Sequence, residues 1–413
     1  MVTKKSIHQS ADLEISRKLS PIIQNSIKRE RVRIQVISQI IRIASRKHGS
    51  YAKAIVLLRE LKKKYQDVFG EQLLTKVAHI NGRYYWRLGT PGFPSPASRR
   101  MHDNELNRLL GRKDEQGLCV LFLAITKKCP LQCQHCLEWE RLNQPEKLST
   151  ADLIQIVKKY QDYGVTQIML SGGEPMLRLK TVFAILSNAQ PTTDFWIISS
   201  GLGLSLERAQ QLKQAGLTGV MISLDHHQPN PNNQFRGHER AYEWAVNGIQ
   251  NAKLAGLVPA LSLTATLEYT SAFNLSAYME FGRKLGVAFV QINEIRATGR
   301  YRDQTKMLSE GQIQLIEKLY LSYNSDPAFA EFPIINYTGY HQRRLNCFGA
   351  GNRFLYIDSD GDVHICPFCD GKICHALAFP VADTIKLLQQ QACPVFEPTV
   401  IQPPVDIVTL SDT

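Results

Sequence analysis

At 413 residues, 44% hydrophobic and 21% charged, the chain is long enough for two or three domains with their own cores. It is too mixed in composition for a fibrous or disordered protein. It carries 49 Lys and Arg against 37 Asp and Glu, a net charge of +12; no N-terminal apolar stretch reads as a signal peptide and no run approaches a membrane span, so a cytoplasmic protein is expected.

The charge is uneven. Residues 1–115 hold 24 Lys and Arg against 10 Asp and Glu, so their net charge exceeds that of the whole chain. This region is expected either to dock an acidic partner or to present a solvated basic face. Ile27 to Ser45 and Tyr51 to Phe69 have helical periodicity and join near His48-Gly49-Ser50. Ile34, Ile37, Ile41 and Ala44 are expected on one buried face, with Ala54, Leu57, Leu58, Leu61, Tyr65 and Val68 on the other. Val77 to Leu88 reads as a hairpin about an Asn81-Gly82 turn, and Gly89 to Ala97, rich in Gly and Pro, as an extended linker. A helix pair plus a hairpin makes a small domain over residues 1–100. It is either a peptide- or nucleic-acid-binding unit or a cap on the rest of the chain; contact with an anionic membrane is a further option.

Leu118 to Thr126 is an apolar, strand-like run that leads into Cys129, Cys133 and Cys136, spaced C-x3-C-x2-C. A closed structural site needs four protein ligands, so three thiols in one loop point to a metal centre with an open position. A zinc site completed by a distant residue, or plain buried thiols, are the alternatives. His135, inside the loop, is expected to pack or shield rather than ligate.

Beyond the loop, helical and strand periodicities alternate. Helices are expected from Thr150 (with Ser149 or Thr150 as cap), over Leu177 to Asn188, Ser205 to Ala215, Glu239 to Ala255 and Ala272 to Leu285, with glycines at 216, 256 and 286 as stops. Between them lie β-rich runs at Gln167, Phe195, Gly219, Pro259 and Phe289. Such alternation implies a parallel sheet with right-handed crossovers and about six strand–helix units, too few for a closed eight-fold barrel. The first runs end in Ser171-Gly172-Gly173-Glu174-Pro175, in Ser199-Ser200-Gly201, and in Ser223-Leu224-Asp225, with Phe235-Arg236-Gly237 following.

In this order the motifs resemble those of the radical S-adenosylmethionine (SAM) enzymes, over residues 115 to 300. The resemblance implies a [4Fe–4S] cluster on Cys129, Cys133 and Cys136 whose open iron binds SAM. It implies that Gly172, Gly173, Glu174 and Pro175 hold the methionine amino group. Ser199 joins the cofactor-binding set, with Ser200 standing where the family often has asparagine. Ser223 and Arg236 match positions that contact the SAM carboxylate, and guanidinium suits carboxylate as a bidentate fork. Glu294 and Arg296, at the end of the Phe289 to Asn293 strand, are candidate catalytic or substrate-facing groups on position alone, and Arg300 is another.

The C-terminal part carries Cys347, Cys366, Cys369, Cys374 and Cys393. Asp360-Gly361 between two β-rich runs signals a hairpin that returns Cys366 to Cys347. The spacing C-x13-G-x4-C resembles the SPASM/twitch extension of the same family. It implies one auxiliary [4Fe–4S] cluster, drawn from Cys347, Cys366, Cys369 or Cys374, and Cys393; a zinc knuckle is the alternative. Cys119, in the first strand, is expected in the core. No disulfide framework is evident, which suits a reducing compartment.

The expected fold is thus α/β. A partial (β/α)6 barrel over 115–305 carries a helical and β-hairpin N-terminal domain and a cysteine-rich extension over 306–413. The resemblance implies reductive cleavage of SAM to a 5'-deoxyadenosyl radical and hydrogen abstraction from a ribosomal peptide or small metabolite. It also implies a reductant such as flavodoxin or ferredoxin, and sensitivity to oxygen. A radical SAM enzyme acting on RNA, and a non-catalytic metal-stabilised binding protein, are the other classes considered.

Overall fold

The computed structural model describes residues 20–69, 76–112, 115–302, 304, 307–369, 371–391 and 393. Helix α1 (Ser26–His48) starts where the Asn25 side chain accepts from the Lys28 N–H and stops at Gly49, φ 63°. Helix α2 (Tyr51–Phe69) packs on it. Strands β1 (Ala78–Ile80) and β2 (Arg83–Tyr85) form the expected hairpin, with Asn81 and Gly82 both at positive φ as a tight turn requires.

Two expectations for this region are corrected. The segment read as a linker ends in a helix, α3 (Pro96–Leu109): Ser95 and Ser98 form a reciprocal capping box, and Pro96 sits in the first turn, where its missing N–H has no role. Its presence changes which side of α1 is buried. Val36, Ile40 and Ala44 pack with Ala54, Leu57, Leu61 and Leu106, whereas Ile34 and Ile37 are 65% and 41% exposed. The Tyr65 and Val68 side chains lie outside the described residues.

From β3 (Val120–Thr126) the chain alternates as expected: α4 (Thr150–Tyr163), β4 (Gln167–Gly172), α5 (Leu179–Ser187), β5 (Asp194–Ser199), α6 (Leu206–Gln214), β6 (Leu217–Ser223), α7 (Pro229–Arg236), α8 (Ala241–Leu254), β7 (Val258–Ala265), α9 (Ala272–Leu285) and β8 (Phe289–Glu294). It continues through α10 (Glu310–Ser325), β9 (Ile334–Asn336), α11 (Thr338–Leu345), β10 (Phe354–Ile357), β11 (Asp362–His364), β12 (Cys374–His375) and α12 (Val381–Gln389). Caps fit the residue types: Ser149, Ser205, Ser271 and Ser309 each accept a first-turn N–H.

One ten-stranded sheet results, ordered β12-β11-β10-β3-β4-β5-β6-β7-β8-β9. Strands β3 to β9 and β10 are parallel; β11 and β12 are antiparallel additions. The sheet curls into an open barrel whose end strands do not pair. It therefore extends past residue 305: β9 pairs with β8, and β10 returns to the far side of β3. Neither β9 nor β10 is legible as a barrel strand, because β9 is three residues long and β10 reads only as half of a hairpin.

The convex face packs against the helices through residues such as Leu121, Leu123, Ile168, Leu170 and Ile222, all buried. At the lower end of the concave face, Met169, Trp196, Met221 and Phe289 meet Ile22, Ala78, Tyr85 and Leu88. The N-terminal hairpin thus plugs the barrel floor, pinned by Arg83 to Asp194 at 3.2 Å. This is the cap arrangement of the two considered. Among the described residues no helix is long and apolar enough to cross a membrane.

Candidate active site

Parallel strands point all their C-terminal ends one way, so the loops that follow them share one rim. The cysteine loop follows β3 there. Asn143, at φ 60°, latches its start: its Oδ1 accepts from the Cys129 N–H at 3.1 Å and its Nδ2 donates to the Cys129 carbonyl at 3.0 Å. The Phe235-Arg236-Gly237 segment underlies its middle. The backbone N–H groups of Gln132 and Gln134 donate to the Arg236 and Phe235 carbonyls, and a Cβ on Gly237 would press on Gln132. His135 stacks on Phe235 with ring centres 5.0 Å apart, which makes it a packing residue of the loop. Arg300 closes the far end. Its N–H donates to the Cys136 carbonyl and its guanidinium to the Gln132 carbonyl, so this substrate candidate is a scaffold for the loop.

Gly172 and Gly173 bring β4 against the same loop. A Cβ on either would collide with backbone of Thr126 or Lys128, and the Gly173 and Glu174 N–H groups donate to those two carbonyls at 2.7 Å. The Glu174 carboxylate is not free to meet an ammonium. It is fully buried and accepts from Ser199 Oγ (2.7 Å), Ser200 Oγ (2.5 Å), Ser200 N (2.8 Å) and Met176 N (3.1 Å). Burial pushes its pKa up, and the four donors oppose that. Pro175 opens the short 3-10 turn beneath. The expected contact with a SAM amino group would therefore come from backbone of this turn, while the carboxylate clamps β4 to β5.

Arg236 is buried and ion-paired to Asp225 at 2.5 Å, with Nη1 3.7 Å from Cys133 Sγ. Burial works against its charge, and the Asp225 carboxylate outweighs that, so its pKa lies above the ordinary value. Its Nε is buried without an aligned hydrogen-bond partner. Ser223, Ser199 and Arg236 line one cavity of about 720 Å³ with Cys129, Cys133 and Cys136. Burial pushes the Cys129 and Cys136 thiols up to about 12. The three soft sulfur donors, the glycine cradle and the unpartnered Arg236 Nε fit a thiolate-ligated cluster with a zwitterionic ligand beside it.

The same cavity reaches Cys347, Cys366, Cys369 and Cys393. The β10–β11 hairpin returns the chain so that the Ala350 N–H donates to the Ile365 carbonyl, and Cys366 and Cys369 sulfurs stand 3.1 Å apart. Burial pushes the Cys347 thiol up to about 12, reinforced by Cys393. Cys374 is not brought to them. Strand β12 carries it to the far side of β11, where its sulfur lies 3.9 Å from Thr384 Oγ1 of α12. Among the described residues no three ligating side chains have closed to the geometry of a single metal ion; a cluster, being larger, spreads its ligands more widely.

Glu294 and Arg296 pair at 2.9 Å on the cavity wall. Glu294 also accepts from Tyr337 Oη and Arg343 Nη1. Sequence reasoning missed those partners, and it missed Asn143 and Glu138. Glu138 is buried, accepts from Tyr356 and Ser359, and ties the cysteine loop to the C-terminal hairpin. Its only signal was a carboxylate two residues beyond Cys136.

Residues 123–268 match the Radical SAM superfamily. Two curated relatives are named probable GTP 3',8-cyclase. That of Archaeoglobus fulgidus is 30% identical over 176 residues, 39% of this chain and 58% of the relative. That of Methanococcus maripaludis (strain C7) is 36% identical over 178 residues, 42% and 57%. The chain thus matches under two thirds of their length. Among solved structures, Streptococcus suis SuiB bound to precursor peptide SuiA has TM-score 0.54 at 14% identity, over 70% of this chain and 69% of that one. anSMEcpe with bound AdoMet and Cp18Cys peptide has TM-score 0.51 at 14% identity, over 66% and 80%. These last two show a shared fold. Over its barrel residues 123–268, the chain thus matches the radical SAM superfamily.

Proposed function

We propose that the chain is a radical SAM enzyme acting on a peptide. One observation carries the reading: three thiols on a loop latched from four sides line one cavity together with Arg236, which Asp225 holds in place. Cys129, Cys133 and Cys136 would hold a [4Fe–4S] cluster, with Ser223 and Arg236 toward the SAM carboxylate and the Gly172 to Pro175 backbone toward its amino group. When bound, that cluster supplies the electron that splits the SAM sulfonium into methionine and a 5'-deoxyadenosyl radical, which takes hydrogen from substrate. The chain's own part is to orient and to exclude water. Loading must also strip the protons that burial holds on Cys129 and Cys136. Cys347, Cys366, Cys369 and Cys393 would hold an auxiliary cluster, with Cys374 outside it.

The cavity argues between nucleotide and peptide. Its charged lining is four arginines and four glutamates with no lysine. Glu105, Glu138, Arg236 and Glu294 are each in an ion pair. A triphosphate needs several cations in excess, and thiolate clusters would only add negative charge. The strands β7 to β9 instead present a neutral ladder: Asn293 Nδ2 donates to Ser262 Oγ (3.1 Å), Gln291 Nε2 to Asn293 Oδ1 (3.0 Å), and Asn336 to Gln291. Amides and hydroxyls of this kind suit a peptide backbone. A one-electron reductant of the flavodoxin or ferredoxin class would serve the site. The basic face of α1 and α2 is offered to an acidic partner, and free thiols throughout suit a reducing compartment.

The test is anaerobic. Protein reconstituted with iron and sulfide, reduced with dithionite and given SAM should form 5'-deoxyadenosine, and the Cys129/Cys133/Cys136→Ala variant should not. Equal product from both would reject the assignment.

A further inference from the structure

We propose that the Glu294–Arg296 ion pair sets the reduction potential of the iron–sulfur group on Cys347, Cys366, Cys369 and Cys393. This rests on the reading of those four thiols as ligands of an auxiliary cluster.

The pair is built to be immobile. Glu294 ends β8, its side chain 6% exposed and that of Arg296 13%. Oε2 accepts from Arg296 Nη2 at 2.9 Å, while Oε1 accepts from Arg343 Nη1 at 2.7 Å and Tyr337 Oη at 2.5 Å. Arg343 is anchored in turn by Glu317 at 3.0 Å. Gly339, at the start of α11, leaves room for this: a Cβ there would collide with Glu294 Oε1. The same helix leads directly to the thiols, and Gln342 Nε2 lies 3.7 Å from Cys347 Sγ. The pair lines the cavity that the four thiols line.

A cluster gains a negative charge on reduction, so a fixed cation in its cavity favours the reduced form and a fixed anion there favours the oxidised form. Buried charges act with little screening by salt. The two members must therefore move the potential in opposite directions. Loss of the arginine charge lowers it, and neutralising the glutamate raises it.

The experiment uses the full chain with Cys129/Cys133/Cys136→Ala, so that only the second group loads. Iron is counted, and the potential is read by redox titration followed by electron paramagnetic resonance. Arg296→Gln is expected to shift it negative, Glu294→Gln positive, and Arg296→Lys to stay near the parent. Shifts of the same sign, or none, with iron at the parent level would overturn the proposal while leaving the auxiliary cluster intact. A parent without iron would overturn both. Should Glu294→Gln fail to fold by circular dichroism, the Arg296→Gln and Arg296→Lys potentials must still separate; if they coincide, the proposal falls.

Discussion

Ser200 donates twice to one oxygen of Glu174, through its backbone N–H at 2.8 Å and its hydroxyl at 2.5 Å. The family's usual asparagine is absent here, and its successor holds the Gly-Gly-Glu-Pro carboxylate instead of reaching outward. Glu174→Gln turns an acceptor toward four donors into a partial donor. It should destabilise the fold by about 2–3 kcal/mol, the scale of a buried hydrogen bond to a charged group. Ser200→Ala, which keeps the backbone donor, should cost about 1–2 kcal/mol. Urea denaturation measures both, and equal stability of all three proteins would remove the clamp.

Cys374 and the other C-terminal thiols should separate on iron content. Cys374→Ser should retain the iron of the parent. Cys347→Ala or Cys366→Ala should lose about four irons per chain, the content of one [4Fe–4S] group. Iron lost from Cys374→Ser alone would reverse the assignment.

His102 gives a pH dependence. It is buried in α3, its Nδ1 3.0 Å from the Gln39 amide of α1, and burial lowers its pKa to about 4. The unfolded chain protonates near 6.5 and the folded one does not, so stability falls as pH drops from 6.5 toward 4. The contribution is up to about 3 kcal/mol. His102→Gln should flatten that part of the slope in melts taken at pH 7, 6 and 5; an unchanged slope would exclude His102 as its source.

The cysteine loop and the C-terminal hairpin are joined by buried charge. Tyr356 donates to Glu138, Lys127 pairs with Asp360, and Arg141 lies 3.2 Å from Asp358. Tyr356→Phe should cost about 1.5–3 kcal/mol and speed amide exchange at Val363 and His364, on the paired strand, more than in β6. Uniform exchange would mean the hairpin holds without this tie.

Much of this was legible in the chain. The six units from β3 to β8 were, because each strand is an apolar run and every helix but α5 begins at a capping serine or ends at a glycine. The cysteine loop was, because ligand spacing is local. What was missed depends on distant pairing. Asn143 reads as a loop asparagine until the fold sets it against Cys129. Arg236 reads as a free guanidinium until Asp225 is beside it. The stripe of α1 was misassigned because Ile34 and Val36 look alike in sequence, and only α3 decides between them.

Whether the Cys129–Cys133–Cys136 loop holds an open-sited cluster decides the function of the site. Electron paramagnetic resonance of the reconstituted, dithionite-reduced chain, recorded with and without SAM, reads this at the iron. A signal that changes shape on adding SAM, and that is missing from the Cys129/Cys133/Cys136→Ala variant, is the predicted result. A spectrum with no SAM-sensitive component, or a SAM-sensitive component that survives in the variant, would contradict it.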